Sequence, residues 1–281
     1  MQKENDVSFW IRAAKWLGKA VFVLAFWGFV WYLLSSRAGV DLIFPSPKAV
    51  FHELGLLLTN RSESLIRYGI EYNFWLITAI SMLRIIWGVL ISILLGTLLA
   101  YLTSISKLLN LLISPVLSVI KATPVASFIM LALLWMERSI LPVFITALIV
   151  IPIVWANVSE GIQAVDPQLT EVARIYRFSL VKRIKRLYVP SIAPYFFAAC
   201  RSALGMAWKA GVAAEILAIP DHAIGTEIYT SQQYIMPQTL FAWTLIVILL
   251  SFLIEKLFIW GLEKLGQRLR ILRKGERHAE H

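Results

Sequence analysis

The sequence predicts an all-α integral membrane protein with about six transmembrane helices. Of its 281 residues, 59% are hydrophobic and only 16% are charged, whereas a soluble domain has roughly 45–50% apolar and about 25% charged residues. Long apolar runs without charge recur along the chain, and 11 Trp and 9 Tyr fit a protein that lines two water–lipid interfaces. This composition excludes a disordered chain, a fibre and a disulfide scaffold, since the single cysteine, Cys200, can form no intrachain disulfide.

The clearest membrane span is Ile85–Leu102, an 18-residue run without a charged residue. A helix needs about 20 mostly apolar residues to cross ~30 Å of hydrocarbon. Its eleven Leu, Ile and Val residues favour insertion by about 3 to 7 kcal/mol. Similar runs predict four further spans, namely Trp16–Leu34, Ile140–Asn157, Ile192–Ala214 and Thr239–Ile254. The first has no cleavage site for a signal peptidase and is expected to remain as an anchor.

The sixth predicted span is Leu108–Met136, which Lys121 and Pro124 interrupt. Neither uncharged half is long enough to cross the bilayer alone. We interpret the segment as one bent span, with two half-depth segments as the alternative.

The basic residues predict the orientation, because Lys and Arg are retained on the cytoplasmic side. Seventeen of the 27 lie in three segments: the amino-terminal segment (Lys3, Arg12, Lys15, Lys19), Thr170–Pro190 and the tail from Lys256. With six spans, these segments all lie on one side, so both termini are predicted to be cytoplasmic. The net charge of +10 therefore indicates topology and contact with anionic lipid rather than nucleic-acid binding.

One cytoplasmic connection, running from about Asn157 to Pro190, is long enough to have a function of its own. Asp166 and Pro167 predict a helix start, because Asp caps free N–H groups and Pro fits the first turn. Apolar residues then recur at helical spacing at Leu169, Val172, Ala173 and Tyr176. Ser179 is a candidate cap of a second helix, which Pro190 is expected to end. The pair is either a hairpin lying on the membrane or a docking element for a soluble partner.

The same connection carries a spaced motif: Glu171-Val172-Ala173, then Arg177, then Leu187-Tyr188-Val189-Pro190. It resembles the cytoplasmic signature of ATP-binding-cassette (ABC) importer permeases, in which Glu-Ala-Ala is followed by Gly and then by Ile-x-Leu-Pro. Arg177 stands where the family has Gly, which turns the chain with positive φ at little cost. A residue with a side chain pays roughly 1 kcal/mol there, so either the turn is built differently or the strain is retained.

Other short motifs extend the resemblance to most of the chain. They are Pro45-Ser46-Pro47, Ser81-x-x-Arg84-x-x-x-Gly88, Lys121-x-x-Pro124, and Ala203-Leu204-Gly205-Met206-Ala207-Trp208 followed by Ala213-Ala214-Glu215. Together they resemble the nitrate/sulfonate/taurine branch of these permeases.

The resemblance implies a type I ABC importer (MetI-like) permease core in a bacterial inner membrane. The implied organisation is an amino-terminal segment with the first helix (1–36), an extracytoplasmic connection (37–82), a permease core (83–262) with a coupling loop (158–190), and a basic cytoplasmic tail (263–281). The implied partners are a second permease copy, cassette ATPase subunits and an extracytoplasmic solute-binding protein. ATP and Mg²⁺ would be bound by the ATPase, since this chain has no phosphate-binding loop and needs no cofactor of its own. The implied cargo is a small solute of the nitrate, sulfonate or taurine kind.

Candidate residues of the translocation path lie in the fifth predicted span. Charges within a span cost about 2.5–3.5 kcal/mol and usually face protein or water. Arg201 and Lys209 are eight residues apart and share one helical face, which predicts a cationic surface for an anionic solute, with Trp208 and Glu215 as further candidates. The alternative is structural: Arg201 pairs with Glu160 or with backbone carbonyls, Lys209 pairs with Glu215 or reaches outward, and Trp208 packs at the interface.

Two other functions remain open at this point. A secondary transporter or channel would need its own coupling-ion sites and often repeated halves, and neither is legible. An intramembrane enzyme would need a catalytic constellation, and no nucleophile with a nearby base is readable. The four histidines, His52, His222, His278 and His281, are scattered, so no metal site is expected.

Overall fold

The computed structural model describes residues 18–19, 21–23, 25–37, 43–62, 65–66, 69 and 72–278, with the backbone alone at 180, 262–263 and 265–278. All regular elements within these residues are helical. Predictions that rest on Lys3, Arg12, Lys15 and Trp16, or on the side chains of the tail beyond Lys264, lie outside the described residues.

The chain forms two compact units, and the first comprises residues 1–74 and 230–245. Its described helices are α1 (Val21–Arg37, across the undescribed residue 24) and α2 (Pro47–Leu58). Ser46 starts α2, because its Oγ accepts a hydrogen bond from Ala49 N–H at 3.4 Å and Pro47 occupies the first turn.

The second unit comprises residues 75–229 and 246–281. Its helices, in chain order, are α3 (Phe74–Ile105), α4 (Lys107–Ala122), α5 (Val125–Ala132), α6 (Leu141–Gln163), α7 (Pro167–Ile175), α8 (Leu180–Arg183), a π-helical segment (Ile184–Tyr188), α9 (Val189–Ala218) and α10 (Ile224–Gln233). Helix α10 passes into the first unit at Thr230, and the last helix, α11 (Pro237–His278), begins in the first unit and continues into the second.

The core of the second unit lies where α3, α6 and α9 meet. The buried face of α9 consists mostly of small residues, among them Ala203, Ala207 and Gly211. A Cβ at Gly211 would lie 2.5 Å from Ile85 Cγ1 and 3.0 Å from Thr146 Oγ1. Gly211 therefore lets three backbones approach closely, as small residues do between membrane helices.

Three described helices are long and apolar enough to cross a membrane: Phe74–Ile105, Leu141–Gln163 and the Pro237–Gly261 part of α11. They contain the predicted spans Ile85–Leu102 and Thr239–Ile254 and all but the first residue of Ile140–Asn157. Helix α9 has 30 residues, which is about 45 Å of helix, but Arg201 and Lys209 lower its hydropathy. The count of six spans stays a prediction.

The predicted interruption at Lys121 and Pro124 is present as a break between α4 and α5. The two helices meet at 103° around Thr123 and Pro124. With 16 residues, α4 is about 24 Å long, which is too short to cross ~30 Å alone. The pair is a fourth span if it counts as one broken helix, and a re-entrant segment otherwise.

The prediction that a helix ends at Pro190 is wrong. The chain passes from α8 through the π-helical segment directly into α9, with Pro190 in the first turn of α9. Val189 N–H bonds to Ile184 O in the wider π pattern. Pro190 is tolerated because a first-turn residue does not need its N–H.

Candidate translocation face and coupling loop

One face of α9 is left exposed by the chain's own packing. Its exposed residues recur every three to four positions: Pro194, Ala198, Arg201, Ser202, Met206 and Lys209, with the half-buried Gly205 among them. A helix brings residues at this spacing onto a single stripe. Arg201 and Lys209 therefore lie on the same open face, as their spacing predicts.

The surface between these two cations is unobstructed. Gly205 lies midway between them, and a Cβ there would meet nothing within 4 Å. Neither Arg201 nor Lys209 has a salt-bridge partner among the described residues. The predicted pairs with Glu160 and Glu215 are thus not formed in the part of the chain that the structure describes. An unpaired cation is costly against lipid, so this face is poorly suited to lipid contact.

Trp208 points away from the exposed stripe. It is 3% exposed, and its Nε1–H donates a hydrogen bond to Val247 O of α11 at 3.1 Å. The indole thus tethers α9 to the last helix from behind the cationic face.

Glu215 also lies on the buried side of α9 and is fully buried. Its Oε2 accepts hydrogen bonds from Ser81 Oγ at 2.9 Å and from Gly225 N–H at 3.2 Å. The same Ser81 Oγ accepts Ile224 N–H at 2.9 Å. A Cβ at Gly225 would lie 2.4 Å from Glu215 Cβ, so only glycine permits this approach.

Arg84 completes this cluster, which we call the Glu215 clasp (Ser81, Arg84, Glu215 and the backbone of 221–225). Its Nη1 lies 3.8 Å from Glu215 Oε1, and the guanidinium donates hydrogen bonds to Asp221 O at 3.0 Å and His222 O at 3.4 Å. The clasp joins α3, the end of α9 and the start of α10. Sequence reasoning quoted Ser81 and Arg84 as motif residues but gave them no role.

The predicted coupling loop begins as expected. Asp166 Oδ1 accepts Gln168 N–H at 2.8 Å and caps α7, and Ser179 Oγ accepts Lys182 N–H at 3.4 Å at the start of α8. Both predicted caps are confirmed.

The turn after α7 has the geometry that normally uses glycine. Arg177 has φ +47°, its N–H bonds to Arg174 O at 3.1 Å, and Phe178 N–H bonds to Ala173 O at 2.9 Å. These two bonds define a Schellman motif. Of the two alternatives for Arg177, the structure shows the retained strain.

The apolar residues of α7 divide between two surfaces. Ala173 is buried with Val165 and Leu187, and Phe178 and Tyr188 pack beside them. Leu169, Val172, Ile175 and Tyr176 are exposed, the last two by 70% and 72%. The chain's own fold leaves this apolar surface uncovered.

Glu171 is exposed beside this surface and borders a hollow of ≈ 540 Å³. The hollow is lined by Pro167, Thr170, Glu171, Arg174 and Arg183. Arg183 Nε is buried there without a hydrogen-bond partner in the described residues. Val189 and Pro190, also assigned to the motif, are exposed at the start of α9. Sequence reasoning missed Arg183, because only folding brings α8 against α7.

The chain is similar in sequence to a known protein family. A family model described as "Binding-protein-dependent transport system inner membrane component" matches residues 92–271, which is more than half of the chain.

Curated relatives include the bicarbonate transport system permease protein CmpB of Synechococcus elongatus, 27% identical over 214 residues, which are 73% of each chain. The nitrate import permease protein NrtB of Synechocystis is 29% identical and covers 77% of each chain. The putative aliphatic sulfonates transport permease protein SsuC of Bacillus subtilis is 29% identical over 58% of this chain and 59% of its own.

A solved structure supports the fold. The chain of an amino acid ABC transporter crystallised with histidines matches with a TM-score of 0.56 and 20% identity, covering 73% of this chain and 97% of that one.

Proposed function

Because the chain belongs to the family of binding-protein-dependent transport system inner membrane components, we propose that it forms the translocation path of an ATP-driven importer for small anions. The three relatives described above are named for bicarbonate, nitrate and aliphatic sulfonates, all of which are small anions. The observation that carries the proposal is the exposed face of α9, whose two cations, Arg201 and Lys209, have no salt-bridge partner among the described residues.

In this proposal the cations lower the cost of moving an anion through hydrocarbon. A lone charge is expensive at low dielectric, and a fixed opposite charge offsets part of that cost. Gly205 leaves room for the solute between them. Trp208 and Glu215, buried behind the face, hold α9 in position against α11 and α3 rather than touching the solute.

The energy source in this proposal is a separate cassette ATPase that binds ATP and Mg²⁺. It docks on the exposed apolar surface of α7 and on the hollow beside Glu171. Val172 contributes to that surface, whereas Ala173 and Leu187 form the small core that fixes its shape. Closure of the ATPase then moves the connection 158–190, and the continuous helix from α8 into α9 transmits that movement to the cationic face.

The proposed assembly contains two copies of this chain, two ATPase subunits and a solute-binding protein outside the cell. Six spans and cytoplasmic termini in a bacterial inner membrane fit the segregation of basic residues. A second copy also accounts for the large apolar surface exposed on the single chain, since exposed patches of that size mark lipid or protein contacts.

Uptake into proteoliposomes tests the proposal. Vesicles holding the permease, its ATPase and its binding protein are assayed with nitrate, bicarbonate and methanesulfonate, with and without ATP. Lys209→Ala and Arg201→Ala should each lower anion uptake about tenfold, since a hydrogen bond to a charged group is worth about 1.5–3 kcal/mol, while the ATPase still copurifies. Met206→Ala, on the same face but uncharged, is the matched control. Uptake without ATP, or unchanged kinetics in both cation variants for all three anions, would contradict the proposal.

A further inference from the structure

Helix α2 and the residue Phe44 before it contact the first turns of α11. Phe44, just before α2, packs edge-on against Phe241, with ring centroids 5.5 Å apart. At the middle of α2, Glu53 Oε1 accepts a hydrogen bond from Thr239 Oγ1 at 3.0 Å and another from Ser62 Oγ. Both contacts lie within the first unit.

These contacts set the depth of α2. Thr239 and Phe241 are the third and fifth residues of the candidate span Pro237–Gly261. That span has 25 residues, about 37 Å of helix, and so exceeds the ~30 Å hydrocarbon core by a few ångströms at each end. Residues 239–241 therefore lie at the boundary between headgroups and hydrocarbon, and α2 lies at the same level.

The same contacts set the direction of α2. Thr239 and Phe241 are separated by about 3 Å along α11. Glu53 lies about 9 Å along α2 from its first residue, Pro47, and Phe44 lies three residues before that start. Contacts close together on α11 but spread from the segment before α2 to its middle favour a crossing of the two helices over a side-by-side arrangement. Helix α2 thus runs across α11, roughly in the plane of the membrane.

The face of α2 turned away from the protein is apolar and carries one lysine. Phe51 and Leu58 are 57% and 39% exposed, Gly55 lies between them, and Lys48 and His52 are also exposed. Glu53, the one acid of α2, is buried on the opposite face together with Val50 and Leu57. Apolar side chains beside a lysine on an in-plane helix are typical of binding to a lipid interface.

Trp31 of α1 lies between Phe51 on this face of α2 and Phe241 of α11. Its Nε1–H donates to Pro45 O at 3.1 Å, its ring stacks on Phe241 at 6.2 Å, and its centroid is 6.5 Å from that of Phe51. Tryptophan is enriched at membrane interfaces. The aromatic group around Trp31 and the exposed face of α2 therefore form one surface at one depth.

We propose that α2 is an interfacial helix whose Phe51–Leu58 face is embedded in the lipid headgroup region, where Lys48 contacts anionic lipid. The hydrogen bonds that Glu53 accepts from Ser62 and Thr239 keep the one acid of α2 buried and away from the bilayer. Through Thr239 and Phe241, the helix anchors the end of α11 to the membrane surface. This assignment does not depend on which solute is carried.

Site-directed spin labelling tests the proposal. Cys200 is buried, so a thiol-reactive nitroxide selects introduced cysteines, and the unmodified parent reports background labelling. The permease is reconstituted in phosphatidylethanolamine–phosphatidylglycerol vesicles with Phe51→Cys or Leu58→Cys. Leu94→Cys, exposed on the apolar helix α3, is the lipid reference, and Arg138→Cys, in the turn between α5 and α6, is the water reference.

The measured quantity is the ratio of collision rates of the label with oxygen and with a water-soluble nickel chelate. We expect the labels at 51 and 58 to give ratios between those of the two references, several-fold above that of Arg138→Cys and below that of Leu94→Cys. A ratio equal to that of Arg138→Cys would show that the face lies in water. A label shielded from both reagents would show that a second copy or another protein covers it. Either of these results overturns the proposal.

Discussion

Arg84 of α3 and Glu215 of α9 face each other across 3.8 Å at the point where the buried end of α9 turns into the segment before α10. The guanidinium also holds the carbonyls of Asp221 and His222. One side chain thus supplies the counter-charge of a buried carboxylate and donates to two backbone oxygens. Its removal would leave the carboxylate without that counter-charge, and a buried charge that loses its partner costs more than the ~1–3 kcal/mol of a neutral polar group.

A double-mutant cycle on the Glu215 clasp tests this arrangement. Arg84→Met should lower the free energy of unfolding by about 3–5 kcal/mol, since it leaves a buried charge uncompensated. Adding Glu215→Gln should recover part of that loss, so that the two effects fall short of additivity by about 1–3 kcal/mol. The measurement is the midpoint of unfolding in a denaturing-detergent titration. Glu160→Gln, an exposed acid on α6, is the control, and additivity within about 0.5 kcal/mol would contradict the coupling.

The turn at Arg177 gives a second prediction. Because Arg177 has φ +47°, Arg177→Gly should raise the free energy of unfolding by about 1 kcal/mol through relief of backbone strain. Arg174→Gly is the matched control, since it removes the same side chain from regular helix and should lower stability by about 1 kcal/mol. Thermal unfolding of the two purified variants compares them directly. Equal effects of the two substitutions would show that charge, rather than backbone strain, governs the response.

Features that the sequence predicted correctly are local. The caps at Asp166 and Ser179 depend on residues two or three positions away, and the break at Pro124 follows from a missing N–H. The clasp joins Ser81 to Glu215 across 134 positions, and Glu53 meets Thr239 across 186. Such pairings depend on how helices pack, which composition and periodicity do not encode.

Pro190 and Trp208 show two ways in which a local pattern misleads. Proline usually ends a helix, but the π-helical segment ahead of Pro190 lets one helix pass into the next. Trp208 and Lys209 are adjacent in sequence, yet neighbours on a helix point about 100° apart. Only Lys209 therefore reaches the open face, while Trp208 bonds to α11.

Glu227 predicts a dependence of stability on pH. Burial in α10 raises the pKa of Glu227 from 4.5 to about 7. Between these two values the folded state binds more protons than the unfolded state, so stability should fall as pH rises from about 4.5 to about 7 and level off above that. The full change is about 3 kcal/mol at most. Glu227→Gln should remove this dependence, measured as the unfolding midpoint across pH 4.5–8, whereas Glu137→Gln, an exposed acid, should retain it. A Glu227→Gln profile with the original slope would assign the titration to another group.

Glu171 tests whether the surface of α7 is used for coupling. Its carboxylate is exposed beside the hollow that Arg174 and Arg183 line, so its removal should leave the fold of this chain unchanged. We expect Glu171→Ala to reach the membrane in normal amount but to lose ATP-dependent uptake, while ATP hydrolysis by the assembled complex continues or its ATPase dissociates. Uptake and hydrolysis are measured on the same proteoliposomes, with Glu160→Ala as the matched acid outside the hollow. Normal uptake by Glu171→Ala at a normal rate of hydrolysis would show that the ATPase does not bind this helix. A partner bound there would contact Glu171, because it is the acid among the residues that line the hollow.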